Sequence, residues 1–187
     1  VEMGRFSLAS FSAGGVPHEV AITGRHDADL DRLARDLKRL CEWHIRLFAD
    51  PPPMSRYVFL TTALGEGYGG LEHRASTALL CARDDLPRAR VSEVTDAYRG
   101  FLGLCSHEYF HTWNVKRIKP AAFAPYDLDR ENYTGLLWAF EGITSYYDDL
   151  ALVRCGLISQ QDYLELIGRS ITSLLRTPGR LQQNVFE

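Results

Sequence analysis

Five consecutive residues, His107-Glu108-Tyr109-Phe110-His111, carry the side chains that metal-assisted hydrolysis needs. Residues four apart share one face of a helix, so the imidazoles of His107 and His111 can converge on a single ion. Glu108 stands one position on and turns to an adjacent face, where its carboxylate can hold the attacking water instead of the ion. H-E-x-x-H on a helix thus supplies two ligands and a general base, the pattern of a zinc hydrolase. The competing reading is a surface helix that happens to carry two histidines and a glutamate. The preceding residues argue against it. Val94, Ala97, Tyr98, Phe101, Leu104 and Cys105 keep helical spacing, and Ser92 is a suitable N-cap with acidic residues after it. The spacing predicts a helix over residues 92–115 whose apolar side leads into the motif. Histidines beside a core need partners, and a metal satisfies both rings.

A hydrolytic zinc site uses three protein ligands and keeps a fourth position open. Glu141 is the candidate third ligand. It falls in a helix predicted over residues 134–155, capped by Asn132 or Thr134 and ended by Gly156. Leu137, Trp138, Phe140, Ile143, Tyr147, Leu150 and Ala151 surround it. A lone carboxylate among them is costly unless paired or metal-bound; an ion pair with an arginine is the alternative. Pro120 and Pro125 break the interval between His111 and Glu141, so a loop and a returning helix are expected. Asp148, Asp149, Thr144 and Ser145 are candidates to orient the histidines from behind, with a solvated helix face as the other reading of the Asp pair. Trp113 reads as core rather than substrate contact. Lys116, Arg117 and Lys119 read as a solvated basic loop.

The elements that must position these groups change character once along the chain. Residues 5–12 and 19–23 alternate like strands joined through Gly14-Gly15-Val16-Pro17. Residues 29–48 form an amphipathic helix with Leu30, Leu33, Leu37, Leu40, Cys41, His44, Ile45 and Phe48 inward. Residues 56–62 and 76–82 read as strands, with a Gly-rich bend between them. After residue 92 the pattern is helical, ending with a helix over 159–176 that Ser159 caps and Asp162 supports. The expected class is α+β, a mixed sheet lobe to about residue 90 followed by a helical lobe from 92. The metal helix lies at their junction, where a cleft is expected.

Composition narrows the function. The chain has 187 residues, 45% apolar and 24% charged, with a net charge of −3. That balance gives no basis for binding nucleic acid or an anionic membrane. No apolar run reaches membrane-spanning length and no leader peptide is evident, so a soluble chain, cytoplasmic or periplasmic, is expected. Cys41, Cys81, Cys105 and Cys155 form no C-x-x-C pair and read as small core residues. In the bend Gly67-Tyr68-Gly69-Gly70-Leu71-Glu72-His73, glycines let a backbone approach a ligand closely. The strand after it is a candidate edge for an extended peptide. Glu72 is a candidate anchor for a cation such as a peptide amino terminus. A flexible loop with solvated charges is the plainer reading.

Three stretches together resemble the glycyl aminopeptidase family of gluzincin zinc metallopeptidases. His107 to Pro120 (H-E-Y-F-H-T-W-N-V-K-R-I-K-P) resembles its signature. Leu136 to Leu150 is similar to the segment carrying its glutamate ligand, and Gly67 to His73 resembles an aminopeptidase motif that usually reads G-x-M-E-N. His73 departs from that motif's Asn. The resemblance implies a thermolysin-like catalytic domain with His107, His111 and Glu141 as ligands of Zn2+ and Glu108 as the base. It implies that Glu72 binds the substrate's α-amino group and that Gly69 and Gly70 line the cleft. Residues 1–20 would include the tail of a preceding β domain and 21–187 the catalytic domain, often followed by a PDZ domain. An oxyanion-stabilising tyrosine would be Tyr133, Tyr146, Tyr147 or Tyr163, or lie past Glu187. Expected partners are peptides, especially those with an N-terminal Gly or Ala. The alternatives are a zinc endopeptidase of the same fold and a binding or scaffold protein that has lost catalysis.

Overall fold

Gly14 and Gly15 set the first turn. Both adopt positive φ, 55° and 76°, as a two-residue hairpin between right-twisted strands requires. They join β1 (Phe6–Ala13) to β2 (Val16–Gly24), which pair antiparallel along their length. The computed structural model describes residues 3–49 and 51–184. Residues 1 and 2 of the expected domain tail, and residue 50 and 185–187 of the expected catalytic unit, lie outside the described residues. The rest of that tail, β1 included, belongs to the same sheet as the strands of the catalytic unit.

Helix α1 (Leu30–Phe48) starts where the Asp29 side chain accepts from the Arg32 N–H. It returns the chain to β3 (Tyr57–Leu64), parallel to β2. Then come β4 (Tyr68–Glu72) and β5 (Ser76–Ala82). The sheet order is β1-β2-β3-β5-β4. Two expectations change here. The Gly-rich stretch is itself a strand, and it is β4, not β5, that lies at the edge. Glycine content reads locally as a bend, but Tyr68 to Glu72 register antiparallel against Cys81 to Thr77, a partner the local sequence does not reveal.

One sheet face is buried under α1 and the next helix, α2 (Asp96–Phe110). Val20, Ile22, Phe59, Leu79 and Cys81 meet Leu33, Leu37, Leu40 and Cys41 from α1 and Phe101, Leu102 and Cys105 from α2. Burial of each large aliphatic side chain contributes roughly 1.5–3 kcal/mol. Helix α2 spans Asp96–Phe110 and is capped by Thr95, not Ser92. Helix α3 (Leu137–Arg154) begins at Leu136 without a side-chain cap, so neither Asn132 nor Thr134 serves. Helix α4 (Gln160–Arg176) begins at the expected Ser159, in a reciprocal capping box with Asp162. Buried Arg99 of α2 donates to Asp162, fastening α4 to the central helix. All strands thus precede all three later helices, an α+β arrangement. Among the described residues, no helix is long and apolar enough to cross a membrane.

Candidate metal centre

Helix α2 is buried on most sides, and its last turn carries the histidine motif. It ends at Phe110, earlier than expected. His111 is the C-cap and keeps helical dihedrals, with its N–H on the His107 carbonyl. The four-residue spacing therefore still brings the two rings together, with centroids 4.7 Å apart. Beyond the cap, Arg117 donates to the carbonyls of Thr112, Pro53 and Arg74, which closes the helix end. The partial negative charge of a helix C-terminus favours a cation at this position.

Both rings aim Nε2 at one carboxylate. His107 Nε2 lies 3.2 Å and His111 Nε2 3.6 Å from Glu141 Oε2. Both rings are held from behind. His107 Nδ1 donates to Asp148 Oδ2 at 2.9 Å, and His111 Nδ1 to the Asn114 carbonyl at 2.7 Å. Each Nδ1 thus carries the proton and each Nε2 presents its lone pair. Three donors bound at about 2.1 Å in tetrahedral directions stand about 3.4 Å apart, so this set fits a zinc ion. Asp148, not Asp149, is the carboxylate behind His107. It is no solvated face: its side chain is 15% exposed.

Glu141 departs from the reason given for it in sequence. It is half exposed, so burial among apolar neighbours is not what demands a partner. Leu137, Trp138 and Ile143, expected to enclose it, are themselves exposed. What marks Glu141 out is its position facing both imidazoles.

Glu108 is 5% exposed, and its Oε2 has no hydrogen-bond partner among the described residues. Burial first, then the charges of Glu72 and Glu141, push its pKa up to about 7 against the opposing pull of His107 and Lys116. A Cβ on Gly70 would collide with the Glu108 side chain. Gly70 thus seats the carboxylate, a contact that glycine content alone could not assign. Gly69 alternates to the other face of the sheet, where it lines a groove with Leu60, Thr62 and Leu80. The structure therefore brings only one of the two glycines to Glu108.

Glu72 ends β4, with Glu72, Glu108 and His111 each placing a ligand atom within 4.8 Å of the other two. Lys116 Nζ is 2.9 Å from Glu72 Oε1. Burial disfavours the Glu72 charge, yet the Lys116 hydrogen bond and charge hold its pKa below the usual value. Nothing in the local sequence signals that role for Lys116. The basic loop is not simply solvated either: Arg117 binds carbonyls, and Lys119 lies over the Tyr126 ring at 4.9 Å. Trp113 is core, stacked on Phe48 at 4.7 Å. Of the tyrosines considered for an oxyanion, Tyr147 stacks on Phe110, while Tyr146 and Tyr163 line a groove between α3 and α4. Tyr133 is exposed in the loop before α3.

Residues 100–187 match the family described as M61 glycyl aminopeptidase. A crystal structure of an aminopeptidase N family protein from Idiomarina loihiensis is 48% identical and superposes with a TM-score of 0.96 over 98% of this chain. The chain spans 31% of the length of that relative. No curated protein matches. The motif segments and the family match lead to one assignment: residues 100–187, from within α2 through α4, belong to the M61 glycyl aminopeptidase family.

Proposed function

We propose that this chain is a zinc aminopeptidase with a thermolysin-like catalytic fold. It hydrolyses the first peptide bond of peptides with a small N-terminal residue such as Gly or Ala. The observation that carries the reading is the convergence of two Nε2 atoms on Glu141 Oε2, at 3.2 and 3.6 Å, with both Nδ1 atoms already held. His107, His111 and Glu141 are the residues that would hold the ion. When bound there, zinc supplies a Lewis acid and lowers the pKa of water toward about 7.

The chain's own residues do the rest. Glu108 accepts the proton of the attacking water at its carboxylate and passes it to the leaving amine. Its seat against Gly70 aims it, and its burial keeps its basicity near neutrality, where transfer in both directions is efficient. Edge strand β4 offers unpaired backbone groups to an extended substrate. Glu72 at its end offers a carboxylate to the substrate's α-ammonium. The preference for Gly rests on the family description alone, and Ala is included as the next smallest side chain.

The Lys116–Glu72 pair favours a second reading. A carboxylate already matched by a lysine has less pull on an amino terminus, and internal cleavage would then result. One glycyl peptide assayed with a free and with an acetylated amino end separates the two. Loss of a charge-assisted hydrogen bond of about 1.5–3 kcal/mol should slow the acetylated form by roughly 10- to 100-fold. Glu72→Ala should erase the difference. Equal turnover of both peptides by the unaltered protein would replace exopeptidase with endopeptidase action.

A further inference from the structure

Glu141 is poorly placed to hold its own position. It sits early in α3, a helix that begins without a side-chain cap and whose first residues, Leu137 and Trp138, are exposed. Phe140 is buried and anchors this turn by packing, while Glu141 beside it stays half exposed. Polar contacts add to this by tying the turn to the segment that follows α2, and one residue makes most of them. Asn114, 9% exposed, donates through Nδ2 to the Phe140 carbonyl at 3.2 Å and to Thr144 Oγ1 at 3.1 Å. Thr144 Oγ1 donates to the same Phe140 carbonyl at 2.6 Å. Phe140 immediately precedes Glu141. The backbone carbonyl of Asn114 also accepts the His111 Nδ1 proton at 2.7 Å.

We propose that Asn114 is a positioning residue that sets Glu141 against His111: its carbonyl orients the ring while its amide fixes the turn bearing the carboxylate. The inference rests on the zinc reading above and adds the device that makes a half-exposed ligand productive. A second tie lies two turns along α3, where Ser106 Oγ donates to the Asp148 carbonyl at 2.8 Å and His107 holds the Asp148 carboxylate. With that tie intact, loss of the Asn114 amide frees the beginning of α3 and leaves its middle docked. The effect should fall on Glu141 and spare His107.

The test is a double-mutant cycle read as zinc affinity, measured by competition with a chromophoric chelator. Asn114→Leu keeps the branching and removes the donors. Supporting partners of metal ligands are worth about 10- to 100-fold in metal affinity, so this variant should bind zinc at least tenfold more weakly. In a Glu141→Gln background the same substitution should change affinity by less than about twofold, because the residue it acts through is already impaired. Equal losses in both backgrounds would show general loosening and overturn the inference, as would no loss in either. Thr144→Val repeats the cycle should Asn114→Leu fail to fold. It removes one of the two acceptors and should show a smaller loss with the same dependence on Glu141; a loss independent of Glu141, or none, counts against the inference. An unaltered protein that binds no zinc would remove the functional reading itself. Zinc binding by that protein with a failed cycle would remove only the role of Asn114.

Discussion

At the scale of single residues, the site depends on contacts that a motif does not spell out. His107, Glu108 and His111 are legible because four-residue spacing on a helix is a geometric fact. Glu141 is legible as a candidate for a reason the structure does not support, since it is half exposed rather than buried. Gly70 is the clearest case of a residue whose role needs coordinates. Its missing side chain is filled by the Glu108 carboxylate. Gly70→Ala should leave the fold intact, because the colliding group belongs to a side chain that can swing away. The displaced base should then cost about 100-fold in turnover, the scale associated with a misplacement of about 1 Å. Zinc content should be unchanged. Steady-state kinetics and metal analysis on this variant check both, and unchanged turnover would remove Gly70 from the site.

At the scale of elements, helices with local signals are the easier part. Ser159 and Asp162 mark the start of α4 in sequence and in space. The start of α2 lies beyond the cap that Ser92 suggests, because Ser92 and Thr95 are both good cap residues. Only Thr95 accepts from the backbone, at the Tyr98 N–H. Thr95→Ala should therefore lower stability by about 1 kcal/mol, read as a denaturant midpoint shift. Zinc affinity should not change, since the motif occupies the opposite end of the helix. An unchanged midpoint would mean that packing alone holds the N-terminus of α2. Strand β4 is hidden for the reverse reason: its pairing is with β5, and glycines conceal it from any reading of local propensity.

At the scale of the whole molecule, buried histidines outside the metal centre connect the layers. His44 of α1 donates through Nε2 to Ser106 Oγ at 2.9 Å, directly beneath the motif. Burial alone lowers its pKa to about 3. His18 of β2 is also lowered by burial and bridges the Val16 carbonyl and the Tyr109 hydroxyl. Each binds a proton more readily unfolded than folded, so stability is full above the unfolded value of about 6.5. As pH falls toward about 3, His44 should withdraw up to about 1.4 kcal/mol per pH unit. Urea midpoints between pH 7 and pH 4 measure this, and His44→Phe should flatten the slope. A slope unaltered by that substitution would mean that carboxylates control the acid limb.

Most of the functional reading rests on two imidazoles and one carboxylate from α2 and α3 holding a single zinc ion, with Glu108 beside it as base. Metal analysis of the purified protein, paired with turnover, is the decisive measurement. One zinc per chain is expected, with its loss in His107→Ala and its retention in Glu108→Gln, where turnover should fall by about 10²–10⁴-fold. Protein that carries no zinc, or His107→Ala that carries it undiminished, would contradict the metal centre.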